Sequence, residues 1–278
     1  MYKTILIHVD ESPRSLQRVE AAARLAEQYQ AHLIGAAMTG LSPYIFPVGG
    51  FDPTVPPIVF PVEELRAQAS QALDGYETAA RRAGVNSYER RLIDDEAGIG
   101  MSLLARYTDL VIISQIAATE FQPRLRSDFP EYVVLNCARP VLVLPAAGAR
   151  SDIGRRVTVA WNGSAEAVRA ITSAIPLMQR ADLVDLVVFD ADLDGDVHGE
   201  EPGADIALFL ARHGIKVEVT SVQSAGDEGE ALLTFASDKE ADLIVMGAYG
   251  HSRFREFLLG GMSRTALASS PIALWMNH

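Results

Sequence analysis

The chain contains a second copy of itself, and that limits what it can fold into. Thr108-Asp109-Leu110-Val111-Ile112-Ile113 is matched by Ala241-Asp242-Leu243-Ile244-Val245-Met246. Pro140-Val141-Leu142-Val143 is matched by Pro271-Ile272-Ala273-Leu274. Self-similarity at about half of 278 residues means two copies of one domain, each of ordinary domain size. The boundaries are placed at 1–148 and 152–278, around a small-residue linker at 146–152.

Within the first copy, short apolar runs at 4–10, 32–38, 109–114 and 140–145 and a weakly alternating stretch at 87–93 read as strands. Segments with helical periodicity at 15–30, 62–82, 95–107 and 129–137 separate them. The second copy repeats the order, with strands at 156–161, 183–189, 215–222, 242–246 and 271–275. Its helices are at 165–180, 204–214, 229–239 and from Met262 onward. Alternation of this kind specifies a mostly parallel sheet with helices on both faces, so the fold class is α/β: two tandem, five-stranded, doubly wound domains. Ser12 is placed as an N-cap with Pro13 at the first helical position, and Gly84 as the stop after the second helix. A stretch at 39–61, rich in Gly, Pro and Phe, breaks the pattern and reads as an insertion in the first copy.

Composition closes several functional classes. The formal net charge is −12, with no block of like charge, which argues against nucleic acid or an anionic membrane as partner. No apolar run approaches the ~18 residues that span a bilayer. Met1 to Leu6 leads straight into a strand, which argues against a leader segment. Cys137 is the only cysteine, so a disulfide framework is excluded and a reducing cytoplasm fits. Its place after a helical stretch reads as a buried, inert thiol.

The most informative stretch lies between the fourth strand and the last helix of the second copy. Met246 and Gly247 end the strand; Gly250 follows; Gly260, Gly261, Met262 and Ser263 open the helix. Glycines let backbone N–H groups close on phosphate oxygens, and a helix N-terminus adds its positive dipole. The spacing is Gly247-x2-Gly250-x9-Gly260. Arg253, Arg255 and Arg264 flank it, either as charge compensation for phosphate or as solvated surface. His251 reads as a loop residue, because nothing nearby supplies a nucleophile for it to serve. The acidic segment with Asp194, Asp196, His198, Glu200 and Glu201 reads as solvated, with no recognisable ligand spacing.

With this glycine motif after strand four and Pro-Val-Leu-Val on strand five, the chain resembles the universal stress protein family over essentially its whole length, as a tandem member. The resemblance implies adenine-nucleotide α-hydrolase-like domains holding ATP, with or without Mg²⁺, at the carboxyl ends of the strands. Carried onto this sequence, Gly247, Gly250 and Gly260 form the phosphate loop, with Gly261 and Met262 offering N–H groups. Ala160, Trp161 and Asn162 hold the adenosine, and Val188 meets the adenine edge. Met246, Arg253 and Ser263 complete the set.

Two departures matter. Asn162 stands where the family has Asp, and Gly261 where it has Ser or Thr. Both remove groups that would hold a metal or contact phosphate, so the site looks suited to binding more than to hydrolysis. The first copy keeps Asp10 but has Ser114, Ala117 and Ser127 at the glycine positions. It is not expected to hold ATP in this manner. Asp10 reads first as a turn or cap residue; for Asn162, cap and ligand contact stand side by side. Trp161 is either packing or a stacking surface.

The resemblance also implies antiparallel pairing of the final strands inside one chain, giving an internal pseudo-dimer, with a further homo-dimer open. The leading functional reading is an ATP-binding stress-response protein, the nucleotide acting as effector toward an unnamed protein partner. A slow ATPase or nucleotidyl transferase and a nucleotide-free interaction module are the alternatives.

Overall fold

The computed structural model describes residues 1–41, 61–116, 125–147, 152–190, 201–224, 226–249 and 261–278. The body of the 39–61 insertion lies outside the described residues, as does most of the acidic segment and the glycine loop from Gly250 to Gly260.

The first half runs β1 (Thr4–His8), α1 (Arg14–Tyr29), β2 (His32–Met38), α2 (Val62–Arg82), β3 (Tyr88–Ile93), α3 (Ala97–Ala105), β4 (Leu110–Ser114), α4 (Phe129–Asn136) and β5 (Val141–Leu144). The second runs β6 (Arg156–Ala160), α5 (Ala165–Met178), β7 (Leu183–Phe189), α6 (Ala204–Arg212), β8 (Val217–Val222), α7 (Glu228–Asp238), β9 (Leu243–Gly247), α8 (Met262–Ser269) and β10 (Ala273–Asn277). The alternation read from the apolar runs is therefore the observed one. Gly84 follows α2 at φ +78°, the left-handed position that a chain stop favours.

All ten strands form one sheet in the order β3-β2-β1-β4-β5-β10-β9-β6-β7-β8. Within each half every pairing is parallel, and the halves meet where β10 runs antiparallel to β5, with Leu274 opposite Val143 and Trp275 opposite Leu142. The expected pseudo-dimer is thus built into the sheet, and neither final strand is left as an apolar edge.

Each face of the sheet carries one continuous apolar layer. On one, Val19, Leu73, Ile171 and Leu210 bring α1, α2, α5 and α6 down onto the strands. On the other, Met101, Val133, Leu232 and Ala266 bring α3, α4, α7 and α8. The eight inner strands are covered on both sides, which explains why their runs are mostly apolar, while the edge strands β3 and β8 are only partly covered and carry polar residues.

The repeated Asp has a structural task in each half. Asp109 accepts the Lys3 and Thr4 N–H groups at 2.7 and 3.0 Å. Asp242 accepts those of Gly154, Arg155 and Arg156 at 2.7 to 3.1 Å. Each carboxylate pins the start of the half's first strand against the start of its fourth.

One local expectation is corrected. α1 begins at Arg14, with Pro13 at the capping position and no side-chain cap. The Ser12 hydroxyl donates to Asp10 Oδ1 at 2.6 Å instead. The Ser12 N–H donates to the same oxygen at 3.1 Å, so Asp10 fixes Ser12 in the turn one residue ahead of the capping position.

Candidate functional site

In each half the chain order reverses between the first and fourth strands, and the crevice above that point is where open α/β sheets place ligands. In the second half the crevice lies between the ends of β6 and β9. Ala160 ends β6 and is 7% exposed; Trp161 is half-buried against the apolar layer beneath α5, and Asn162 is exposed. Asn162 Oδ1 accepts the Ser164 N–H at 3.1 Å, and Ser164 Oγ accepts the Ala167 N–H at 3.1 Å. Asn162 therefore shapes the turn, while Ser164 caps α5.

Across the crevice, Met246 is buried and Gly247 is the last residue of β9. A Cβ on Gly247 would stand 2.5 Å from the Ala167 nitrogen and 2.7 Å from the Glu166 carbonyl carbon. The start of α5 thus rests directly on this glycine. Beyond it, Tyr249 takes a left-handed φ of +52°, and its N–H donates to Ser263 Oγ at 3.2 Å. Ser263 is 2% exposed. That bond draws the entry and exit of the 250–260 loop together. Gly250, Arg253 and Gly260, with His251 and Arg255, lie outside the described residues.

The helix at the loop exit is open at its end. α8 starts at Met262 behind Gly261, with no side-chain cap and no acidic residue in its first turn. Arg264, exposed, sits in that turn. The corresponding helix of the first half, α4, has Asp128 at the capping position and Glu131 in the first turn. Arg126 donates from Nε and Nη2 to the Asp128 carboxylate at 2.8 and 2.7 Å, so Asp128 is paired and Glu131 is the remaining acidic group of that turn, where α8 has Arg264.

Val188 is placed away from the crevice. Its side chain is fully buried. On β7, the Val184 and Asp190 N–H groups go to the β8 side, to Lys216 and Val222 oxygens, while the Val187 carbonyl goes to Trp161 N–H. Alternation along the strand turns the Val188 backbone toward β8, into the ladder. The residue presented at the strand exit is Asp190, at φ +49°. Its Oδ1 accepts the Ser224 N–H at 2.8 Å, and its Oδ2 accepts the Ser224 hydroxyl.

The first half fills the same crevice with its own side chains. Arg18, 2% exposed, donates from Nε to the His8 carbonyl at 2.6 Å, from Nη1 to Ser114 Oγ at 3.0 Å and from Nη2 to Asp10 Oδ1 at 2.9 Å. These partners are the end of β1, the end of β4 and the turn between β1 and α1. By the register of the repeat, the second half has Ala170 in place of Arg18 and Gly247 in place of Ser114. Burial raises the Asp10 pKa, but the Arg18 charge, then His8 and the Ser12 hydrogen bonds, outweigh it and hold the carboxyl well below the usual range. Burial lowers the His8 imidazole to about 4, with Asp10 opposing and Arg18 reinforcing. Gln115, next along, is also committed elsewhere: its Nε2 donates to the Ala266 and Ser270 carbonyls of the other half at 3.2 and 3.1 Å.

Among the described residues, no group of three or more His, Cys, Asp or Glu could hold a metal, and no helix is long and apolar enough to cross a membrane. Cys137 is buried, donates to the Arg139 carbonyl at 3.1 Å and is pushed up by burial to about 11.

A model of the universal stress protein family matches residues 1–145 and again 154–278. The chain belongs to that family. Its two halves are tandem universal stress protein units. Universal stress protein Slr1230 of Synechocystis sp. (strain ATCC 27184 / PCC 6803 / Kazusa) is 26% identical over 142 residues, 51% of this chain and 48% of that protein. The chain thus spans about half the length of this curated relative. The crystal structure of a universal stress protein from Archaeoglobus fulgidus DSM 4304 has a TM-score of 0.75 at 17% identity, covering 99% of this chain and 95% of that one. A functionally unknown protein, PA1789 from Pseudomonas aeruginosa PAO1, has a TM-score of 0.61 at 13% identity, covering 99% and 92%. These two likenesses are of fold.

Proposed function

We propose that this universal stress protein binds an adenine nucleotide, ATP, in its second half only, as an effector. The observation that carries the reading is the contrast between the two crevices: Arg18, Asp10 and Ser114 bridge the first, while Ala170, Asn162 and Gly247 stand at those places in the second, beside a helix start with no acidic residue in its first turn. Phosphates would lie against the N–H groups of Gly261 and Met262 and the backbone of the Gly250–Gly260 loop, with Arg253 and Arg264 offsetting charge. Adenosine would lie along Ala160, Trp161 and Asn162, toward Asp190.

Binding without efficient turnover follows from the same residues. Asn162 brings no carboxylate for a metal and Gly261 brings no hydroxyl, while Ser263 Oγ is held toward the Tyr249 N–H, from which it accepts. In the first half, Arg18, Asp10 and Ser114 span the crevice, which leaves no comparable place for phosphates.

Nucleotide extracted from the purified protein by acid and identified by mass spectrometry tests the reading. An adenine nucleotide at up to one per chain is expected. With Mg²⁺ and ATP, phosphate release at background level is expected; rapid turnover abolished by Gly250→Val would make the protein an enzyme instead.

A further inference from the structure

A second place for a ligand lies far from both carboxyl edges, at the amino-terminal side of the second half. A cleft of about 340 Å³ opens where α1 of the first half meets residues 152–155 and the end of α5. That volume lies within the range of pockets that hold small molecules, roughly 300–1,000 Å³. Leu25 and Leu177 line its buried floor, and Arg24, Arg155 and Arg180 line its rim.

Three guanidinium groups around one opening are notable in a chain of net charge −12. Asp152 is the one carboxylate in the lining. It is 83% exposed and stands 3.9 Å from Arg24, a distance and exposure at which an ion pair holds little. Arg155 meets Asp182 at 2.8 Å, again with both side chains exposed. Nearby, burial raises the Tyr29 hydroxyl and the Arg180 charge opposes it, and that hydroxyl donates to the Pro176 carbonyl at 3.1 Å. The walls are therefore set, while the guanidinium charge on the rim exceeds its carboxylate partners. Arginine presents planar, paired donors that match phosphate and carboxylate oxygens.

We infer that this cleft binds a small polyanion, a molecule with two or more phosphate or carboxylate groups, and that binding there clamps the two halves together. Walls contributed by both halves mean that such a ligand binds the assembled chain only and so stabilises it. The inference is independent of nucleotide binding at the other edge.

The test is calorimetric titration of inorganic tripolyphosphate, and separately of citrate, into the Gly250→Val protein, where the proposed phosphate loop is blocked. Saturable binding at one site per chain is expected, with a rise in melting temperature. Arg24→Ala/Arg180→Ala in the same background is expected to weaken binding at least tenfold while keeping the circular dichroism spectrum. Binding of citrate as well would make the site a general polyanion site; binding of tripolyphosphate alone would restrict it to phosphates. Absence of saturable binding by either probe, or equal affinity in the arginine variant, overturns the inference.

Discussion

Gly247 is where a residue's apparent purpose and its structural task part company. A glycine before a phosphate loop suggests close approach of a ligand, yet here the close approach is by the backbone of α5, 2.5 Å from where a Cβ would sit. Neither backbone can yield cheaply. Gly247→Ala is expected to lower unfolding free energy by about 1–3 kcal/mol in urea titration; unchanged stability would contradict the contact. Lost nucleotide binding in that variant would report on α5, so Gly250 is the cleaner probe of the loop. The Arg18 network makes a second residue-scale prediction. His8 is near 4 when folded and about 6.5 when unfolded, so below pH 6.5 the unfolded chain takes up the proton first. Stability should be level above pH 6.5 and fall by about 3 kcal/mol on acidification to pH 4. His8→Gln should flatten that window, leaving the loss below it that comes from Asp10. An unchanged slope would mean the imidazole is not held neutral. Arg18 carried no signal in the sequence, where it is one polar position in a helix. Its partner Ser114 is 96 residues away, and local periodicity does not encode such a contact.

At the scale of elements, most of the fold was legible because its eight inner strands are buried on both faces and its helices have one apolar stripe. β2, α2 and β7 begin and end where periodicity placed them. Val188 shows the limit. Its position at a strand end was clear, but which neighbour its backbone faces depends on strand parity, which needs the register. The β5–β10 junction is the element on which the molecule's unity rests. Trp275 is fully buried there, its Nε1 donating to Ser173 Oγ at 3.0 Å, with the Tyr2 ring 5.4 Å away. Trp275→Ala is expected to cost about 3–5 kcal/mol of unfolding free energy in urea titration. A cost below 1 kcal/mol would show that the junction is not a packed core.

For the whole molecule, duplication has allowed the halves to diverge while sharing one sheet. The first half has turned its crevice inward: Arg18 and Asp10 pair across it, and Gln115 reaches over to hold the end of α8. The second half has kept its glycines and a helix start with no acidic residue in its first turn. A nucleotide there can act as effector only by binding one arrangement of the loop better than another. The pairing of a braced half with a ligand-ready half is the central claim, and stoichiometry tests it most directly. Calorimetric titration of ATP into the nucleotide-free protein should give one site per chain, lost in Gly250→Val. Two sites per chain, no binding, or unchanged binding in that variant would contradict the account.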